Sequence, residues 1–134
     1  MNILLVVFIL FSKFVNAEII DIENRELKNL IEKKIKIVDV RTHNEWKTTG
    51  IIKGSELISL LDKNNKFVFE NWYKDFNKKL PKSVSVIFIC ASGVRSKYIS
   101  NLINEKKPDL KIYNLKKGIN NWIRSGNKIY RLGN

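Results

Sequence analysis

Short runs of apolar, β-branched residues alternate along this chain with amphipathic segments that have the period of a helix. The runs Ile35–Val40, Ser83–Ile89 and Leu110–Leu115 have the length and composition of strands. Strands that alternate with helices predict an α/β fold, because a helical crossover lets successive strands run parallel in one sheet. Parallel sheets are covered on both faces, which agrees with the apolar character of these runs. We therefore expect a small, mainly parallel β-sheet flanked by helices on both faces.

The helical segments are recognised by apolar residues spaced three and four apart. They are a helix capped by Asn24 with Leu27, Leu30 and Ile31 on its apolar face, the segment Phe67–Leu80, and the segment Arg95–Lys107 with Tyr98, Ile99, Leu102 and Ile103 as its stripe. A short helix is expected between Thr42 and Gly50, a short strand within Ser55–Ser59, and a closing helix within 118–126. The 134 residues contain two prolines and no repeat, which indicates one compact domain.

The first 17 residues have the pattern of a secretory signal peptide. An apolar run from Ile3 to Phe11 is followed by polar residues, and small side chains stand at Val15 and Ala17. The run is shorter than the roughly 20 residues that a membrane-spanning helix needs. We expect a signal peptide over 1–17, a mature domain over 18–134, and a bacterial periplasmic or secreted location. The alternative is an uncleaved segment, residues 3–15, that anchors the protein to the membrane.

The charge balance does not favour a nucleic-acid partner, although the net charge is +12. Lysine accounts for 20 of the 25 basic residues and arginine for five, and the lysines are scattered along the chain. Specific recognition of phosphates and bases relies strongly on arginine forks. The sequence indicates no cofactor and no metal site. The expected partners are therefore small molecules or an acceptor protein, with a membrane contact only if the N-terminal segment is retained.

Cys90 is the only cysteine, and it lies between the predicted strand Ser83–Ile89 and a predicted helix. Exported proteins occupy oxidising compartments where structural cysteines normally pair. A single cysteine cannot pair within its own chain, so it is an inert buried residue, an intermolecular link or a reactive thiol. Composition does not choose among these three.

The turn that follows Cys90 suits an anionic sulfur. Gly93 permits a backbone conformation that other residues resist, and the next helix begins with unpaired N–H groups and a partial positive charge. N–H groups directed at the sulfur stabilise a thiolate and so increase the fraction of the thiol that reacts as a nucleophile. Ala91 and Ser92 are small and leave room for a substrate.

Four separated motifs resemble the single-domain rhodaneses, a family of sulfurtransferases. "IVDVRTHNEW" is similar to the family's Asp-Val-Arg signature with its Glu-aromatic pair, and "TGIIKGSELI" to its Gly-His-Ile-x-Gly-Ala segment. "ICASGVRS" resembles the Cys-x-x-Gly-x-Arg-Ser loop, and "KKGINNW" the closing Gly-Gly-x-x-x-Trp. The motifs occur in the family's order and span nearly all of residues 18–134.

The resemblance implies a rhodanese-like fold and a set of roles for individual residues. Cys90 matches the nucleophile, which takes sulfane sulfur from a donor such as thiosulfate, becomes a persulfide and passes the sulfur to an acceptor. The loop expected to cradle that persulfide consists of Ala91, Ser92, Gly93, Val94, Arg95 and Ser96. Arg95 is expected to pair with Asp39 or Glu45. Asp39, Arg41 and Glu45 match supporting residues rather than the reacting group.

The chain departs from the family pattern at two positions that bear on the site. Ile51 stands where the family usually has His, and Lys117 replaces the first glycine of the closing motif. The only histidine, His43, is expected to be exposed and non-catalytic. Thiosulfate is a dianion, and neither Ala91 nor the rest of the loop supplies a lysine beside the cysteine to bind it. The identity of the sulfur donor is therefore left open.

Two other functions remain as alternatives. A cysteine phosphatase places one more residue between its cysteine and arginine than the four found between Cys90 and Arg95. Tyrosine phosphatases also have a His directly before the cysteine, and this chain has Ile89 there. A non-catalytic or redox-sensing rhodanese-like binding domain is the second alternative, because an activated thiol is also open to oxidation.

Overall fold

The computed structural model describes residues 18–133, and the expected signal peptide over 1–17 lies outside them. The strands are β1 (Ile20–Ile22), β2 (Lys36–Asp39), β3 (Glu56–Leu57), β4 (Ser85–Ile89) and β5 (Lys111–Leu115). The helices are α1 (Asn24–Glu32), α2 (His43–Thr49), α3 (Phe69–Lys79), α4 (Val94–Lys106) and α5 (Gly118–Arg124). Within 18–133, no helix combines the length and apolar character needed to cross a bilayer.

The five strands form one parallel sheet in the order β1-β5-β4-β2-β3. β4 lies at the centre, where Ile89 is in register with Asp39 of β2 and Phe88 with Asn114 of β5. Parallel strands end at the same edge of a sheet, so the residues that follow β2, β4 and β5 meet there. This confirms the predicted α/β fold and brings the cysteine loop next to the ends of two neighbouring strands.

Alternate residues of β4 supply the two halves of the core. Val86 and Phe88 pack with Trp72 and Phe76 of α3 and with apolar residues of α4. Ile87 and Ile89 face the opposite side and pack with apolar residues of α1 and α5. All four strand residues are fully buried, as the pleat of a sheet covered on both faces requires. Helices therefore flank both faces of the sheet, as predicted.

Three local predictions need correction. Asn24 is the first residue of α1 rather than its cap; Glu23 is the cap, and its N–H donates to the Glu26 carboxylate at 3.2 Å. β1 has only three residues and gives no periodic signal, so the sequence pattern missed it. Tyr98 does not belong to the buried stripe of α4, because its side chain is 52% exposed while Ile99 is fully buried.

Candidate active site

Cys90 lies at the carboxyl end of the central strand β4. Cys90 is 1% exposed, and after it the chain turns through Ala91, Ser92 and Gly93 before α4 begins at Val94. Gly93 makes the turn possible because its φ is +91°, a region that residues with a Cβ rarely adopt. The thiol therefore sits between the end of a strand and the amino end of a 13-residue helix.

Two polar groups contact the sulfur directly. The Gly93 N–H donates to Cys90 Sγ at 3.1 Å, and Ser96 Oγ lies 3.2 Å from the same atom. The first intrahelical bond of α4 is donated by Lys97 to Gly93 O at 3.2 Å, so the N–H groups of the preceding first turn are not used by the helix. The sulfur thus has an N–H donor, a hydroxyl group and the positive end of the helix dipole beside it.

The loop packs closely on the first turn of α5. Ile119 N–H donates to Cys90 O at 2.9 Å, and Asn120 N–H donates to Ala91 O at 3.1 Å. Because the peptide bonds are trans, the N–H groups that follow these carbonyls point away from α5. Gly118 allows this approach, since a Cβ on it would lie 2.1 Å from Ala91 O.

Arg95 pairs with Glu45, one of its two predicted partners. Its two terminal nitrogens donate to Glu45 Oε2 at 2.9 Å and Oε1 at 2.6 Å. The hydrogen bonds from Arg95, with further ones from Thr42, lower the pKa of the Glu45 carboxyl to about 2. Glu45 also accepts the Thr42 N–H at 2.9 Å as part of the α2 cap. The pair therefore ties the first turn of α4 to the first turn of α2.

Asp39 pairs with Arg41 rather than with Arg95. Both side chains are buried, and Arg41 donates to Asp39 Oδ1 at 3.0 Å and to Oδ2 at 2.8 Å. Arg41 also donates to Thr49 Oγ1 at 2.7 Å and to Gly50 O at 2.8 Å. The guanidinium thus holds the end of α2 against the end of β2. Neither Asp39 nor Arg41 hydrogen-bonds to the sulfur, and their supporting role stays a prediction.

The other predicted loop residues lie at the surface of the loop. Ser92 and Val94 are exposed, Val94 by 72%, and Ala91 is partly buried. His43 is exposed and its ring lies 4.8 Å from that of Trp46, with no contact to the sulfur.

Two polar residues that continue the hydrogen-bond chain beyond Ser96, Asn114 and Asp21, were not predicted from the sequence. Asn114 of β5 is 2% exposed, and its Oδ1 lies 2.6 Å from Ser96 Oγ. Its Nδ2 donates to Asp21 Oδ1 of β1 at 3.0 Å. This amide and, more weakly, the Lys97 ammonium lower the pKa of Asp21, while partial burial opposes them. The available signal was a single amide inside the apolar run "LKIYNL", because a buried polar group needs partners.

The geometry places the sulfur beside the Gly93 N–H, the Ser96 hydroxyl and the amino end of α4. Hydrogen-bond donors and the amino end of a helix are groups that stabilise an anion in general. Two cations of α4 are paired within the protein, Arg95 with Glu45 at 2.6 Å and Lys97 with Asp21 at 3.1 Å.

A protein-family model described as "Rhodanese-like domain" matches residues 23–125. An uncharacterized protein of Rickettsia conorii is 36% identical over 75 residues, which are 50% of this chain and 55% of that protein. The chain thus spans about half the length of the curated relatives it matches.

Two solved structures illustrate the range of proteins that share the fold. A thiosulfate sulfurtransferase from Pseudomonas aeruginosa aligns with a TM-score of 0.65 and 20% identity, over 84% of this chain and 20% of that one. A protein of Rhodopseudomonas palustris described as a possible tyrosine phosphatase aligns with a TM-score of 0.61 and 19% identity, over 87% of this chain and 88% of that one. At these identities the likeness establishes the fold alone, and the reaction has to be argued from the site.

Proposed function

The chain belongs to the rhodanese-like domain family, and from this premise we propose that it is a sulfurtransferase whose Cys90 carries sulfane sulfur as a persulfide. The strongest support for this proposal is the set of polar groups around Cys90 Sγ. The sulfur receives an N–H bond from Gly93 at 3.1 Å and lies 3.2 Å from the Ser96 hydroxyl, at the amino end of α4. The Gly93 N–H and the amino end of α4 are held in place by the fold, so they stabilise an anion without having to reorganise during the reaction.

In the first proposed step, the Cys90 thiolate attacks the sulfane sulfur of a donor. A bond forms between Cys90 Sγ and that sulfur, and the bond from the sulfur to the rest of the donor breaks. The donor remainder leaves with the electron pair; for thiosulfate it is sulfite. The persulfide that stays on Cys90 is an anion whose charge lies on the outer sulfur, and the N–H groups in the first turn of α4 that the helix does not use are the donors proposed to stabilise it.

In the second proposed step, a nucleophilic acceptor attacks the outer sulfur of the persulfide. The bond between that sulfur and Cys90 Sγ breaks, and its electron pair returns to Sγ as a thiolate. The acceptor leaves with the transferred sulfur, and the loop is ready for the next donor. A small thiol, cyanide or a protein thiolate can serve as the acceptor in this scheme.

The arrangement around Arg95 favours sulfur transfer over phosphate-ester hydrolysis. Both terminal nitrogens of Arg95 bind the Glu45 carboxylate, at 2.9 and 2.6 Å, so this fork is occupied within the protein. Binding of a phosphate relies on such a fork. The loop also has only four residues between Cys90 and Arg95. Arg95→Ala should loosen the loop and lower sulfur transfer, and unchanged turnover would exclude Arg95 from the site.

Burial of the thiol is the observation that favours the binding or redox-sensing alternative. Cys90 is 1% exposed, so a donor has to displace loop atoms to reach Sγ. A sensor needs only a small oxidant to enter. The two functions differ in what Cys90→Ala does: a sulfurtransferase loses sulfur transfer and keeps its fold, whereas a binding domain keeps its partner affinity.

We further propose that the protein acts outside the cytoplasm after cleavage behind Ala17, with small sulfur compounds or an acceptor protein as partners. Its support is the sequence pattern of residues 1–17. N-terminal sequencing of the exported protein tests this point. A start at Glu18 supports cleavage, and an intact Met1 in the membrane fraction supports the anchor over 3–15.

The direct test of the proposed activity is mass spectrometry of the purified protein after incubation with sulfane donors. Thiosulfate, polysulfide and a protein persulfide should be tried separately, because the residues of the loop do not identify the sulfur donor. A gain of one sulfur on the Cys90 peptide, lost again on addition of a thiol or cyanide, is the expected result. If no donor modifies Cys90 while the protein remains folded, the proposal is wrong.

A further inference from the structure

Asn114 has a buried side-chain amide that is separated from the Cys90 sulfur by a single side chain, that of Ser96. It is 2% exposed, and its Oδ1 is 2.6 Å from Ser96 Oγ, which in turn is 3.2 Å from Cys90 Sγ. Its register neighbour on β4 is Phe88, two residues before Cys90. The amide therefore reaches the sulfur through the Ser96 hydroxyl, which lies between them.

The orientation of the Asn114 amide follows from its other neighbours. The Asp21 carboxylate, 3.0 Å from Nδ2, only accepts hydrogen bonds, and the pKa of Asp21 is lowered, so it is ionised at neutral pH. The Gly93 carbonyl oxygen, 3.5 Å from the same nitrogen, is also an acceptor. Both acceptors require the NH2 group to face them. The Asn114 carbonyl oxygen must therefore face Ser96.

This orientation settles the direction of the hydrogen bond at Ser96. A carbonyl oxygen cannot donate, so the Ser96 hydroxyl gives its single proton to Asn114 Oδ1. Ser96 Oγ then faces Cys90 as an acceptor, and the pair is satisfied when Cys90 carries a proton and donates it. When Cys90 ionises, Ser96 can donate to the sulfur only by giving up the 2.6 Å bond to Asn114.

We propose that Asn114 is a positioning residue that competes with the Cys90 sulfur for the Ser96 proton and so withholds a hydrogen-bond donor from the resting sulfur. The thiol proton leaves to solvent base on ionisation, and no other atom is gained or lost. Asp21 and Lys97, 3.1 Å apart, face the far side of the amide and keep it oriented. Arg95, bound to Glu45, faces the loop from α4.

This inference uses the proposed function only in taking Cys90 as the reactive group, and its test needs no sulfur transfer. Iodoacetamide alkylates the thiolate of a cysteine, so its rate at each pH follows the ionised fraction. Alkylation of Cys90, the chain's only cysteine, can be followed on the whole protein by mass spectrometry. A protein that never accepts sulfane sulfur can still pass or fail this test.

The decisive variant is Asn114→Leu, which removes the acceptor and keeps the branching and the number of side-chain heavy atoms. Ser96 is then free to donate to the sulfur, and a hydrogen bond to a charged group should raise the alkylation rate at pH 7 roughly tenfold. The rates of variant and wild type should converge at alkaline pH, where both thiols are ionised. A loop that had merely loosened would react faster at every pH.

Three comparisons keep the test decisive. In a Ser96→Ala background, Asn114→Leu should have no further effect, because the hydroxyl that transmits it is gone. Ser100→Ala removes a buried hydroxyl one turn further along α4, which donates to Ser96 O at 2.7 Å, and should leave the pH profile unchanged. Asn114→Val, which suits a strand, replaces Asn114→Leu if urea unfolding shows that the latter is not folded. An unchanged or slower rate in the folded Asn114 variant, or an equal effect without Ser96, would overturn the proposal.

Discussion

Replacing Glu45 by Gln separates the charge of the Arg95–Glu45 pair from its shape. Gln keeps an oxygen that accepts the Thr42 N–H at the cap of α2, but it loses the charge that Arg95 binds at 2.6 and 2.9 Å. The change therefore leaves an unneutralised guanidinium at the start of α4, next to the cysteine loop. We expect Glu45→Gln to lower both the free energy of unfolding and the rate of sulfur transfer.

The size of the effect on stability follows from the pKa of Glu45. This pKa falls from 4.5 to about 2, and one pKa unit corresponds to about 1.4 kcal/mol, so the ceiling is roughly 3 kcal/mol. The side chains of Arg95 and Glu45 are 39% and 30% exposed, and solvent screens part of the attraction. We therefore expect Glu45→Gln to cost about 1 to 2 kcal/mol at pH 7.

The pH dependence gives the sign of the effect and the sharpest check. A carboxyl whose pKa is lowered by folding contributes its stability above the unfolded value and loses it as the pH falls through the folded value. The difference between wild type and Glu45→Gln should therefore be complete at pH 7, shrink below pH 4.5 and disappear near pH 2. Urea unfolding measured across this range follows it directly.

A matched control uses the exposed pair of Lys117 and Glu23, whose side chains are 57% and 59% exposed. Glu23→Gln removes the same charge from the surface, where such pairs contribute roughly 0 to 1 kcal/mol. If Glu45→Gln costs no more than Glu23→Gln, or if its cost is the same at pH 7 and near pH 2, the ionic account of this pair is refuted.

Two further substitutions probe the groups that hold the loop. Arg41→Ala leaves the Asp39 carboxylate buried without its partner and should lower the free energy of unfolding by about 3 to 5 kcal/mol in urea; a loss below about 1 kcal/mol would contradict that role. Gly118→Ala puts a methyl group 2.1 Å from Ala91 O and should lower both sulfur transfer and the melting temperature. Gly126→Ala, also at positive φ but with no atom within 4 Å of its Cβ, is the control that carries backbone strain alone, and equal losses in the two variants would exclude the contact as the cause.

Local patterns were enough to predict most of the elements that position Cys90. The central strand is a continuous apolar run, and the helix after it has a buried stripe, because burial on both faces of a sheet and on one face of a helix leaves a mark in the sequence. The capped helix between Thr42 and Gly50 was also predicted, because its cap is formed by residues close in sequence. β1 was missed, since three residues at the edge of a sheet carry too little periodicity.

The sequence by itself determined that this is an α/β chain with one cysteine at the end of a buried strand, followed by a glycine and a helix. It left Arg95 with two candidate carboxylates and gave Asn114 no partner at all. The tertiary structure decided both, because Glu45 is 50 residues from Arg95 along the chain and Asp21 is 93 residues from Asn114. Contacts between residues so far apart depend on the order of strands in the sheet, and hydrophobic periodicity carries no information about that order.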